Sequence, residues 1–210
     1  MMVEGTLLTI SAEGRSEAAP DMASVALGVT TRGANAAAAL AANAQRMDAL
    51  MRALRGAGVA ERDIQTSNVS VSPQYAYEEG EAPRVTGYEA NNTVNAKVRN
   101  LDNLGRTIDA AVGAGGNTVN GVSFAHQNPD EQLDAARRDA AAGARRRADL
   151  YAAAFGLRVE RVIAISESGG YAPPMPMMYE ARMAADAAAT PIAPGELTTS
   201  VSVNVTYELR

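Results

Sequence analysis

Between Pro20 and Pro73 the hydrophobic period of the chain changes twice, and this limits the fold more than any other feature. Ala23, Val25, Leu27 and Val29 recur every second residue, the spacing of a strand with one apolar face. Leu40, Met47, Leu50, Met51 and Leu54 then recur at three, four and seven, which places them on one stripe of a helix. Asn35 is a residue type that caps such a helix, and Gly56 and Gly58 are types that end one. Val69 and Val71, alternating with Ser70 and Ser72, restore the two-residue period in a strand reaching to Tyr77. Neither a half-apolar strand nor a one-striped helix is stable alone, so the two must pack as layers.

The same grammar continues on both sides. Leu8, Ile10 and Ala12 alternate with Thr9 and Ser11, giving a first strand over residues 6–17. The short turn around Pro20 predicts that this strand and the next form an antiparallel hairpin. After a polar turn at 78–84, Tyr88, Ala90, Asn92, Val94, Ala96 and Val98 oppose Glu89, Asn91, Thr93, Asn95, Lys97 and Arg99, a strand with one wet face. Asn100 opens a helix with Leu101, Leu104, Ile108, Ala111 and Val112 on its buried side, stopped by GAGGN at 113–117, and 119–124 form a fifth strand. Asn128, Pro129 and Glu131 have the order of a cap, a first helical residue and a residue that reaches back to the cap. That helix runs to about Phe155, with Ala136, Ala140, Ala144 and Ala148 forming a smooth seam at spacing four. A sixth strand covers 159–167. The last alternates Leu197, Thr199, Val201, Val203, Val205, Tyr207 and Leu209 with polar residues.

The element order is therefore ββαββαβαββ, an α+β fold of antiparallel sheets with helices packed on one face. The repeated strand-pair-then-helix pattern points to an internal duplication. Residues 168–195 break the pattern with five prolines and four methionines, and are expected to form a long projecting loop with a short helical turn.

Composition removes several function classes. The 210-residue chain carries a net charge of −5, the wrong sign for a general nucleic-acid binder. It contains no cysteine, which excludes disulfides, thiolate metal sites and a cysteine nucleophile. No apolar run reaches the length of a membrane-spanning helix. The opening MMVEGTLLTI lacks a basic n-region and enters a strand at once, so it does not read as a leader.

The candidates for chemistry are few. His126, in FAHQNPDE, is the sole histidine, and a catalytic dyad or metal site would have to be built around it alone; the expectation is a surface residue at a strand end. The glycines at 113–116 are followed by no Lys-Ser or Lys-Thr and end a helix instead of opening one, so they read as a C-cap and not as a phosphate loop. Arg137, Arg138, Arg145, Arg146 and Arg147 crowd one helix, but Asp134 and Asp149 stand three and four residues away, the pattern of a paired solvated face. Met175, Met177, Met178 and Met183 are soft ligands suited to Cu(I) and are open to oxidation. The same cluster, with Tyr179, equally suits an anchored loop or a contact between subunits.

Taken together, SAEGRSEAAPDMASVALGV at 11–29, GVAERDIQTSNVSVSPQY at 58–75 and TGYEANNTVNAKVRNLDNLG at 86–105 resemble the SIMPL-domain family. The resemblance continues through GGNTVNGVSFAHQNPDE at 115–131, DAARRDAAAGARRRADLYAAAFGL at 134–157, ISESGG at 165–170 and PIAPGELTTSVSVNVTYEL at 191–209. It implies a single domain over 1–210, a periplasmic or secreted location, and assembly into homo-oligomers that are ring-like or channel-like in some members. It also implies a link to oxidative-stress defence, and it carries over no catalytic residue. The resulting expectation is a non-enzymatic envelope protein without cofactor or nucleic-acid partner. The alternative is a small-ligand or Cu(I)-binding protein that uses the Met-rich loop.

Overall fold

The computed structural model describes residues 5–168, 175–177, 190 and 192–210 (backbone only at 168 and 175–177). The fold is α+β, with three α-helices and two antiparallel sheets among the described residues. The elements form two compact units.

The first unit contains β1 (Thr6–Ala18), α3 (Pro129–Ala154), β6 (Val159–Ser168), β7 (Met175–Met177) and β8 (Glu196–Leu209). β8 is central, with β1 along one edge and β6 along the other, and β7 pairs with the start of β8. The alternation expected for the last strand holds: Leu197, Val201, Val203, Val205, Tyr207 and Leu209 are buried. Against this sheet lies the alanine seam of α3, extended by Ala152 to five buried residues. Small side chains allow the helix backbone to come down onto the strands. At Gly14 of β1 the approach is closest: a Cβ there would stand 2.1 Å from the Ala140 nitrogen and 2.2 Å from the Ala136 oxygen. Here glycine is required by proximity to a helix backbone.

The second unit contains β2 (Met22–Gly33), α1 (Ala36–Gly56), β3 (Ile64–Ala76), β4 (Arg84–Val98), α2 (Leu104–Gly113) and β5 (Thr118–Ala125). The strand order is β3-β4-β2-β5. Ala23, Val25, Leu27 and Val29 of β2 meet Val94, Ala96 and Val98 of β4, Met47, Leu50 and Leu54 of α1, and Leu104, Ile108 and Ala111 of α2. One buried polar residue stitches helix to sheet. Asn43 is 2% exposed, and its amide donates to the backbone oxygens of Val29 at 2.7 Å and Ala90 at 3.1 Å. The Thr31 hydroxyl donates to the Ala39 oxygen one helical turn earlier.

Several local expectations are corrected. β1 and β2 do not form a hairpin: β1 pairs with β8, whereas β2 pairs with β4 and β5. A short turn is compatible with a hairpin, but here each strand finds its partners far along the chain. Leu40 is exposed, and Ala39 and Asn43 take the buried face of α1 instead. Val112 is likewise exposed. Asn100 caps a 3-10 turn at Leu101–Asn103 before α2 begins. Asn128 holds the N-cap position of α3 with Pro129 following, yet its side chain makes no capping bond. β3 begins at Ile64, five residues earlier than its valines indicate. Within the stretch expected to be a loop, Met175–Met177 adds a short strand beside residues 196–198, and Ile192 packs on the core of the second unit.

Candidate functional site

His126 directly follows β5, as the sequence predicts, but it is half-buried, and its Nε2 is buried without a hydrogen-bond partner. Among the described residues no group of His, Asp and Glu could hold a metal ion. The side chains of Met175, Met177, Met178 and Met183 lie outside the described residues, as does Tyr179. The glycines after α2 do form a C-cap: Ala114 is the cap residue, and Gly115 has φ +105°.

The arginines of α3 are largely engaged. Arg137 pairs with Asp134 at 2.9 Å and with Glu167 of β6 at 3.1 Å, and hydrogen bonding to those two carboxylates raises its pKa further. Arg145 pairs with Asp149 at 3.0 Å, and Arg147 donates to the Ser11 backbone oxygen. This is the solvated, paired helix face that the spacing predicts.

Two features were not legible in the sequence. The first is a basic cleft at one end of the second unit's sheet. A 3-10 turn at Glu61–Asp63 leads into β3, and the end of β4 runs through Lys97 and Val98 to Arg99. Pairing of Ile64 with Ala96 brings the two segments together. Asp63 is 5% exposed, and its two carboxylate oxygens accept from Arg99 Nε and Nη2, both at 2.7 Å. Arg99 Nη1 also donates to Gln127, whose backbone N–H donates to Asp21. Beside this clamp is a cleft of about 200 Å³ lined by Arg62, Asp63, Lys97, Arg99, Asn100 and Asn103, among others. The Arg99 hydrogen bonds hold the Asp63 carboxyl below the usual carboxylate range; burial opposes this, while Arg62 and Lys97 reinforce it.

Because the folded value lies below the ordinary 3.8, the clamp's stabilisation is complete above that pH and fades as pH falls through the lower, folded value. The difference in urea midpoint between the parent and Asp63→Asn should therefore be constant from about pH 8 to pH 5 and shrink towards about pH 2. A difference that does not change at the acid end would show that Asp63 is not ionised in the folded protein. The only sequence signal for this site is charge at the ends of two strands, and it acquires meaning only once their pairing is known.

The second feature is a pair of apolar strand edges. Among the described residues β6 has β8 as its one neighbouring strand and exposes Val162, Ile163 and, at 68%, Ile165. Among the described residues β3 likewise has β4 as its one neighbouring strand and exposes Val69 and Val71. An edge strand offers unpaired backbone groups to another strand, and neither edge here is shielded by a run of charge.

Comparison with known proteins gives a consistent result. The profile of the SIMPL family, described as a protein of unknown function (DUF541), matches residues 8–207. The 26 kDa periplasmic immunogenic protein of Brucella melitensis is 33% identical over 220 aligned positions, covering 100% of this chain and 87% of that protein. The Escherichia coli K12 protein designated uncharacterized protein YggE is 30% identical over 185 positions, covering 88% of this chain and 74% of that one. Among the described residues no helix is long and apolar enough to cross a membrane.

Proposed function

The chain belongs to the SIMPL family, and from that premise we propose that it is a non-enzymatic periplasmic protein of the bacterial envelope that assembles with copies of itself and contributes to oxidative-stress defence. The observation that carries the assembly reading is the β6 edge, which no second strand covers among the described residues and along which Val162, Ile163 and Ile165 are exposed. Unprotected edges with apolar side chains are surfaces that proteins normally cover, and a second copy of the same strand covers such an edge by symmetric pairing. The name of the Brucella relative supports the periplasmic location.

The test of assembly is the mass in solution. The parent chain of 21.8 kDa should scatter light as a multimer at about 50 μM, the micromolar range in which a specific interface is occupied. Ile165→Lys, which places a charge on the exposed edge, should reduce that mass and leave the helical circular dichroism unchanged. A parent that runs as a monomer, or a variant that keeps the full mass, would count against the β6 edge as the interface. The stress role predicts that envelope expression of the chain raises survival after a peroxide challenge in a strain lacking its own SIMPL protein. Equal survival with and without expression would remove that part of the proposal.

A further inference from the structure

The basic cleft in the second unit has a charge surplus that its own residues do not neutralise. The charge of Asp63 is matched by Arg99, since both of its oxygens accept from that one guanidinium. Nearby Glu61 is matched to Arg55 at 3.5 Å. Arg62 and Lys97 line the same cleft, and among the described residues neither has an ion-pair partner. Two unit charges are thus left over at one end of a chain whose net charge is −5.

The remaining polar lining is Asn100, Asn103 and Thr107, and the Thr107 hydroxyl already donates to the Asn103 backbone oxygen at 2.8 Å. Asn100 Oδ1 accepts from the Asp102 backbone N–H at 3.0 Å, and Asn103 Oδ1 accepts from Arg106. Both amide oxygens therefore already accept a hydrogen bond, and among the described residues neither amide N–H₂ group donates one. A cation would find the single lining carboxylate already paired with a guanidinium. An anion would find two free charges and two free amide donors.

We propose that this cleft binds a small doubly charged oxyanion of the phosphate type, held between Lys97 and Arg62, with the Asn100 and Asn103 amides as donors to its oxygens. The Asp63–Arg99 clamp acts as a positioning pair: it fixes the end of β4, and with it Lys97, against the start of β3. The charge argument selects a dianion, because two uncompensated cations match two negative charges. The size argument selects a small one, because about 200 Å³ lies below the roughly 300–1,000 Å³ of sites that enclose drug-sized ligands. This inference does not depend on the assembly proposal, because the cleft and the β6 edge belong to different units.

The experiment is isothermal titration of the full chain with inorganic phosphate at constant ionic strength, with acetate as a monoanion and glycerol phosphate as a phosphomonoester. The expected result is one saturable phosphate site with Kd of about 1 mM or tighter, weaker binding of acetate, and at least about a tenfold loss in the double variant Arg62→Gln/Lys97→Met. Both replaced side chains are exposed, so the melting temperature should hold. The charge-matched double variant Arg138→Gln/Arg146→Gln on α3 should bind as the parent does. Tighter binding of glycerol phosphate than of phosphate would identify a phosphate group on a larger molecule as the ligand, and the reverse would identify the free ion. No saturation by the parent up to about 10 mM would overturn the proposal whatever the variants do. Equal binding by parent and cleft variant would overturn it too, as would an equal loss in the α3 variant.

Discussion

Gly14→Ala should destabilise the first unit by roughly 3–5 kcal/mol, at or beyond the upper end of ordinary overpacking costs. The added methyl would stand 2.1 Å, 2.2 Å and 2.7 Å from the nitrogen of Ala140, the oxygen of Ala136 and the α-carbon of Ala140. All three are backbone atoms of α3, so no rotamer change can make room. The helix must lift, and lifting it opens the contact along the Ala136–Ala152 seam. A compensating Ala140→Gly exchange should restore little, because the clash is with the main chain and not with the Ala140 side chain. Urea denaturation followed by circular dichroism measures both effects. A loss below about 1 kcal/mol would mean that the strand and helix can separate at little cost, and full rescue by Ala140→Gly would show that the close contact is made by side chains.

Asn43→Asp should be the second severe change, and its size should depend on pH. The Asn43 amide nitrogen donates to two carbonyl oxygens, of Val29 and Ala90, from a buried position. Replacing that donor with a carboxylate turns negative oxygen towards two carbonyl dipoles in a site that excludes water. A cost of roughly 3–5 kcal/mol near pH 8 follows from leaving a buried charge unpaired. Folding would raise the pKa of the new carboxyl above its unfolded value, because both burial and the carbonyls favour the protonated acid, which can donate one hydrogen bond. Stability lost at high pH should therefore return as pH falls towards about 5. Asn43→Leu, of similar size and without charge, should lose roughly 2–3 kcal/mol for the two missing hydrogen bonds, with no pH dependence of its own. A flat pH profile for Asn43→Asp would show that the site admits water.

These two positions also mark how far the sequence could be read. Four alanines of the seam, Ala136 to Ala148, are legible as a spacing of four, and they do mark the packed face of α3, which the structure extends to Ala152. Their partner Gly14 is not, since a glycine inside an alternating strand has no side chain to give it a face. Asn43 was invisible for the opposite reason. It interrupts the apolar stripe of α1, and a hydropathy pattern assigns a polar residue to solvent and an apolar one such as Leu40 to the core, the reverse of what the structure shows. The basic cleft joins Arg62 to Lys97 across a strand pair, and the register that unites them is fixed by contacts far from either residue.

The sequence by itself determined the periodic content of the protein: where the chain alternates, where it turns helical, where it stops, and to which family those patterns in order belong. Period and capping chemistry are local, so they are written residue by residue. Tertiary structure alone decided that β1 leaves β2 for β8, that α3 lies in backbone contact with a strand more than a hundred residues earlier, and that two cations share a cleft beside a carboxylate already paired with a third. Each of these depends on which surfaces meet when the whole chain minimises its exposed apolar area. That is a property of pairs of segments, and no single segment encodes it.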